Sequence, residues 1–208
     1  MRLAVELARK HGVAIGAHPS LNDREHFGRR ELPASPAEIH LLVLTQTRLL
    51  MFIARQCGGR VAHVKPHGGL YNMAARDPAV AAAVAAAVGE AGRDLVLFGL
   101  AGSELTKAGE ASGLRVAHEV FADRTYQPDG SLTPRSRPGA LIGSAEAMLG
   151  QVRQMVREGL VTATDGSRVP VKADTVCLHG DGPEAVTFAT RLRAELQQDQ
   201  IELKAFGL

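Results

Sequence analysis

Short apolar runs alternate along this chain with longer stretches whose apolar residues recur at helical spacing. Leu3, Val5 and Leu7 precede Lys10-His11-Gly12, an amphipathic helix pattern with a glycine at the C′ position. Val13-Ala14-Ile15-Gly16-Ala17 reads as a buried strand, followed by His18-Pro19-Ser20 and a polar loop through Phe27-Gly28-Arg29-Arg30. Ser35-Pro36-Ala37-Glu38 is a helix start, with Ser35 as N-cap, Pro36 at N1 and Glu38 closing a capping box. That helix runs to about Gln56 and stops at Gly58-Gly59. Val61, Ala62 and Val64 form a second strand, which exits into a loop spanning His63 to Asn72.

Asp77-Pro78 caps an Ala- and Val-rich helix ending at Gly89. Leu95–Phe98 is a third strand, with an exit loop Gly99–Glu104 and a short helix reaching Gly109 or Ser112. Arg115–Phe121 is a fourth strand, and a long loop then reaches Arg135 and Arg137. Ser144 caps a helix through about Glu158, and Asp165-Gly166 predicts a hairpin between Val161–Thr164 and Arg168–Val171. Thr175–Leu178 is a further buried strand that exits into His179-Gly180-Asp181-Gly182-Pro183. A last helix runs to about Gln198, and Ile201–Lys204 reads as a final strand.

At least four strand–helix alternations predict an α/β fold with a parallel sheet, either a barrel or a doubly wound sheet. The chain has no GxGxxG after a strand and no GxxxxGK[ST], so no nucleotide fingerprint favours the open sheet. A length of 208 residues suits one domain with a sizeable core, spanning 1–208. The net charge of +2 gives no argument for nucleic acid or an anionic membrane surface. No apolar run stands out as long enough to cross a bilayer, and no secretory signal is visible, so the expected compartment is the cytoplasm. Cys57 and Cys177 lack metal-ligand spacing and read as reduced thiols in or near the core.

Composition is ordinary; the chemistry is in where the reactive residues fall. His63-Val64-Lys65-Pro66-His67-Gly68-Gly69-Leu70-Tyr71-Asn72 brings an amine, two imidazoles, a phenol and an amide into one strand exit. His63 has the bland reading of a packed strand residue; Lys65 and His67 suit it less well. His18 follows the first strand, Ser103 and Glu104 the third, Glu119, Asp123 and Arg124 close the fourth, and His179 and Asp181 follow the later one. All lie at the C-terminal ends of strands, where parallel barrels build active sites, while the opposite connections hold little but Gly, Arg and Lys.

Three readings follow. Lys65, His67 and Asp181 can do general acid–base work on an amide or carbonyl, with Arg124, Arg135 or Arg137 holding a substrate carboxylate. His18, His67 and His179 can instead be metal ligands, although no HxxxH or CxxC spacing supports them. In the third reading the arginines are solvated, His179 caps a helix and nothing is catalysed; for Arg137 solvation is the better reading. His11, His26, His40 and His118 read as surface or structural histidines.

The chain resembles the 5-oxoprolinase A-subunit family, also called the LamB/YcsF lactam-utilisation family. The segments that carry the resemblance are Gly16-Ala17-His18-Pro19, Phe27-Gly28-Arg29-Arg30, His63-Val64-Lys65-Pro66-His67-Gly68 with Leu70-Tyr71-Asn72, Gly99-Leu100-Ala101-Gly102-Ser103, Glu119 through Arg124, Pro134-Arg135-Ser136 and His179-Gly180-Asp181. They run in family order across nearly the whole chain. The resemblance implies a distorted (β/α) barrel of the seven-stranded glycoside hydrolase/deacetylase type. It implies ATP-dependent opening of 5-oxoproline to L-glutamate, with ATP as co-substrate and 5-oxoprolinase subunits B and C as partners. No resident metal is assigned. The alternatives are a metal-dependent deacetylase and a non-catalytic, carrier-like subunit. Family members begin with a βα unit carrying an Asp-Leu-Asn-Cys-Asp-like strand, and this chain is expected to lack it. The expected catalytic set is Lys65, His67, His18, His179 and Asp181, and the expected substrate-binding set is Arg124, Arg135, Glu119, Asp123, Tyr71 and Asn72.

Overall fold

A computed structural model describes residues 1–180 and 184–205. It confirms the α/β alternation: α1 (Arg2–Lys10), β1 (Ile15–Ala17), α2 (Pro36–Gln56), β2 (Val61–Val64), α3 (Gly68–Arg76), α4 (Pro78–Ala91), β3 (Val96–Leu100), α5 (Glu104–Ala111), β4 (Arg115–Phe121), α6 (Ala145–Glu158), β5 (Leu160–Thr162), β6 (Arg168–Pro170), β7 (Thr175–Cys177) and α7 (Ala185–Gln198). The strands β1-β2-β3-β4-β7 hydrogen-bond in that order, and β5 and β6 form the separate antiparallel hairpin that Asp165-Gly166 predicts. The chain divides into two compact units, one built mainly from Met1–Gly99 and Ser103–Ala117, the other from Leu100–Gly102 and His118–Lys204.

In the first unit β1 and β2 pair in parallel, as do β2 and β3, with His63 opposite Val96 and Val64 opposite Leu97. The β1–β2 register shifts between Ile15 and Gly16, where the His63 ring lies across Gly16. A Cβ at Gly16 would sit 2.0 Å from His63 Nε2, so only glycine leaves room for that ring. The ring stacks on Phe98 of β3 at 4.4 Å between centroids, which bears out the packed reading of His63. The core below consists of aliphatic and alanine side chains from α2, α4 and the strands, including Ile39, Val43, Val64, Val84, Val88 and Leu97. Each fully buried aliphatic side chain contributes roughly 1.5–3 kcal/mol.

The cap chemistry explains most boundaries. Ser35 and Glu38 form the reciprocal capping box, and Asp77 accepts from the backbone of Ala79 and Val80 at the start of α4. At the C-termini of α1 and α2 the chain turns left-handed at Gly12 and Gly58, so the next N–H reaches back to Ala8 and Ala54 respectively. The same closure ends α7: Gln200 is left-handed and Ile201 N–H donates to Leu196 C=O. Residues 201–204 are therefore spent in terminating a helix and form no strand, contrary to the reading of the tail. A second correction is α3. Gly68-Gly69 reads as loop, but these residues begin a helix with His67 as its N-cap.

By length and composition α2 could cross a membrane, with a mean hydropathy of 1.4 over 18 residues. Its Ile39, Val43, Leu44, Thr47 and Ala54 instead face the core, and Arg48 pairs with Glu90. In the second unit β4 and β7 pair in parallel, with Glu119 opposite Thr175 and Phe121 opposite Cys177. The β7 residues are half-buried rather than buried, as befits the last strand in the order. Arg153 on α6 pairs with Glu195 and Asp199 at the end of α7. Cys57 and Cys177 are half-buried and neither is in a disulfide.

Removing the Ser35 hydroxyl (Ser35→Ala) should cost about 1 kcal/mol, seen as a fall of roughly 2–4 °C in a thermal melt. Gly69→Ala should cost more, because a Cβ there would sit 2.2 Å from Arg30 O and backbone must move. Equal melts for the native chain and Gly69→Ala would contradict this packing.

Candidate active site

In the first unit the site begins with three backbone hydrogen bonds. Lys65 N–H donates to Ala17 C=O, His67 N–H to Pro19 C=O and Gly69 N–H to Gly28 C=O, each at 2.9 Å. They lay the segment after β1 along the segment after β2. A buried carboxylate holds the first segment in shape: Asp23 accepts from Arg30 N–H, Nε and Nη2 and from His26 Nδ1. Those hydrogen bonds from Arg30 keep the Asp23 carboxyl below its ordinary range. The turn ends at Phe27, left-handed at φ 56°, and its carbonyl points at His67.

Two of the expected catalytic imidazoles meet here. His18 Nδ1 lies 2.7 Å from Lys65 O, His18 Nε2 lies 2.8 Å from His67 Nδ1, and His67 Nε2 lies 2.7 Å from Phe27 O. Burial, then the nearby His67 charge, lower the His18 pKa to about 4, with Lys65 and His63 adding to the same direction. His63 is also lowered, by burial and by Lys65. The Lys65 ammonium stands 5.8 Å from the centroid of the buried Tyr71 ring on α3. Asn72 follows Tyr71, half-buried on the same helix.

In the second unit the loop after β4 is built around a buried guanidinium. Arg124 is 5% exposed; its Nη2 donates to Thr133 C=O at 2.5 Å and its Nε to Ala140 C=O at 3.3 Å. Among the described residues no carboxylate lies within ion-pair reach of it. Burial, then the charge of Arg135, lower its pKa to about 10. Arg135 is exposed, whereas Arg137 is bound to Gln127, a structural contact. The fully buried Tyr126 accepts from Phe121 N–H at 2.7 Å, and burial pushes its phenol up. Gln151 on α6 donates its amide to the carbonyls of Phe121, Ala122 and Arg124.

His179 was expected to work with Asp181, which lies outside the described residues. Its partner is Asp123: Asp123 accepts from His179 N–H at 3.2 Å and from Nδ1 at 2.8 Å. Burial works to raise the Asp123 carboxyl, but the hydrogen bond and charge of His179 outweigh it and hold the pKa below its ordinary value. A proton on Nδ1 leaves Nε2 with its lone pair, and among the described residues Nε2 has no hydrogen-bond partner. Such an Asp–His pair is an oriented base. Glu119 is buried on β4, 3% exposed, and its carbonyl accepts from Ala101 N–H.

Thus the first unit gathers His18, Lys65, His67 and Tyr71, and the second Asp123, Arg124 and His179. Ser103 and Glu104 do other work: Ser103 caps α5 and Glu104 pairs with Lys107 on the surface. His26 bonds Asp23 and His40 faces Glu90, while His118 is buried, in line with structural roles. Sequence reasoning missed the Asp23–Arg30 anchor, the Phe27 carbonyl and the Gln151 clamp. Asp23 and Arg30, seven residues apart in a loop, carried the one available signal.

The sequence matches the model of the LamB/YcsF family over residues 1–207. It is 54% identical over 207 residues to the 5-oxoprolinase A subunit of Methylococcus capsulatus, covering all of this chain and 80% of that protein. The 5-oxoprolinase A subunit of Geobacillus kaustophilus is 53% identical over 205 residues, 99% of this chain and 80% of its own length. The crystal structure of the lactam utilization protein from Thermus thermophilus superposes with a TM-score of 0.90 at 42% identity, covering 99% of this chain and 82% of that one. On matches of this extent the chain belongs to the LamB/YcsF family.

Proposed function

We propose that this chain is the A subunit of a 5-oxoprolinase, opening the lactam ring of 5-oxoproline to L-glutamate with ATP as co-substrate. The observation that carries the reading is the more than 50% identity, over essentially the whole chain, to proteins named for that activity. The site chemistry supports it. Ring opening requires an oxygen nucleophile to lose a proton, the amide carbon–nitrogen bond to break and the nitrogen to gain a proton. His179, oriented by Asp123, and the His18–His67 pair are proton-handling groups of the required kind. Lys65 supplies positive charge for a developing oxyanion or a phosphorylated intermediate. The buried Arg124, with Arg135 beside it, suits the substrate carboxylate or a phosphate. Asp181, Tyr71, Asn72 and Glu119 complete the proposed set.

The ATP-handling step is assigned to partner subunits, B and C, in keeping with the missing P-loop signature in this sequence. We further assign the parallel strands to a distorted (β/α) barrel of the seven-stranded type and the protein to the cytoplasm.

Glutamate release from 5-oxoproline and ATP, measured with the partner subunits present, tests the assignment. Lys65→Ala should lower kcat by 10²-fold or more, on the order expected for loss of an electrostatic catalyst. Arg124→Met should raise KM for 5-oxoproline at least about tenfold, because it removes a charge-assisted contact. Undiminished turnover in both variants would remove these residues from the site. Asp123→Asn should lower kcat by about 10²- to 10⁴-fold through loss of the oriented imidazole. The depressed Asp123 carboxyl contributes stability that is present above about pH 4 and lost as pH falls through its folded value. The Asn variant should therefore show a shallower acid limb in urea unfolding between pH 5 and 3.

A further inference from the structure

His18 and His67 form a hydrogen-bonded row whose protons can be counted. Both ends of the row are carbonyl oxygens, Lys65 O against His18 Nδ1 and Phe27 O against His67 Nε2, at 2.7 Å each. A carbonyl accepts only, so each end needs a proton on the ring nitrogen. The middle contact, His18 Nε2 to His67 Nδ1 at 2.8 Å, needs one more. Three hydrogen bonds thus require three protons, and two neutral imidazoles carry two. Every neutral arrangement leaves at least one contact without its proton, at the middle, at Lys65 O or at Phe27 O, and the one with both protons at the middle leaves both ends without. A third proton relieves the conflict and gives the pair one net positive charge.

At His18 the surroundings work against keeping that charge: burial comes first, and the charges nearby add to it. Among the described residues, Lys65, just after β2, and His63 on β2 act on His18 by their charges, Tyr71 of α3 stands beside Lys65, and Asp23, His26, Arg29 and Arg30 lie in the segment after β1 that supplies Phe27 O. Of these, Lys65 and His63 oppose a proton on His18, and the Asp23 carboxylate is already committed to Arg30 and His26. The ring geometry favours uptake of one proton, while burial and the charges of Lys65 and His63 favour its release from His18. The facing nitrogens are too close to share a metal, since two 2.0–2.1 Å bonds at a tetrahedral angle would hold them about 3.3 Å apart. His18 keeps an exposed surface through which a proton can arrive and leave.

We propose that His18 and His67 act as a single two-ring base that takes up one proton during turnover and gives it back. Which proton this is rests on the lactam reading above. The water oxygen bonds to the ring carbonyl carbon as its proton passes to the pair. The carbon–nitrogen bond then breaks, and the proton is returned to the ring nitrogen, leaving the pair unchanged over the cycle. The Lys65 and Phe27 carbonyls hold the two rings in the tautomers that make this possible.

The pairing is read in the isolated chain by ¹⁵N NMR of labelled histidine side chains, titrated from pH 7.5 to 3.5. The expected result is one single-proton step in which the ring nitrogens of His18 and His67 shift together, and its disappearance from His18 in His67→Gln. Two separate one-proton steps, or a His18 titration unchanged in His67→Gln, would overturn the proposal. The wild-type titration does not depend on any variant folding. In the assembled enzyme His18→Gln and His67→Gln should each lower kcat by about 10²- to 10⁴-fold, and the double variant should fall within about twofold of the weaker single, as expected for residues acting as a unit. Losses that multiply would show two independent roles and would also overturn it. A coupled titration in a wild-type chain that releases no glutamate with competent partners would strike the lactam reading and leave the pair standing.

Discussion

Close backbone approach is the constraint on which the arrangement in the first unit depends. The segment after β1 can lie against the segment after β2 only because Gly68 and Gly69 have no side chains: a Cβ on either would sit within 2.4 Å of a carbonyl oxygen of Gly28 or Arg30. The three cross-segment hydrogen bonds then fix Phe27 O and Lys65 O about the two imidazoles. Nothing in this depends on a large side chain filling a cavity. The same glycines that admit the neighbouring strand exit also start α3, so the helix carrying Tyr71 is placed by the packing that places His67.

The second unit uses burial in place of close approach. Placing a guanidinium where it is 5% exposed is costly unless its donors are satisfied, and here two carbonyls satisfy part of the fork without neutralising the charge. The loop is in turn held by Gln151 and Tyr126, whose polar atoms meet backbone groups of residues 121–124. The long loop is therefore ordered by contacts made to its main chain by Arg124, Tyr126 and Gln151.

What could be read from the sequence was local. The Ser35–Glu38 box, the Asp77-Pro78 start and the Asp165-Gly166 hairpin each depend on residues within a few positions of one another, and each is found as read. The strand-exit placement of His18, Lys65 and His179 was legible for the same reason. Partners distant in sequence were not. Proximity in the chain pairs His179 with Asp181 two positions away, yet the carboxylate that orients it is 56 residues upstream. The helix α3 was hidden because Pro66, Gly68 and Gly69 are poor helix signals; the left-handed backbone at Gly68 and the approach of residues 28 and 30 explain why glycine is required there. The tail was misread because its apolar alternation could not reveal the left-handed turn at Gln200.

The aromatic content has an optical consequence. The chain has no tryptophan and only two tyrosines. Tyr71 stands beside Lys65, and Tyr126 is bonded to the backbone at the end of β4. Both phenols are buried, one in each unit. Excited beyond the phenylalanine absorption band, the ultraviolet emission of this protein therefore comes from these two phenols alone, and it serves as a built-in optical reporter on their two neighbourhoods without any label being introduced.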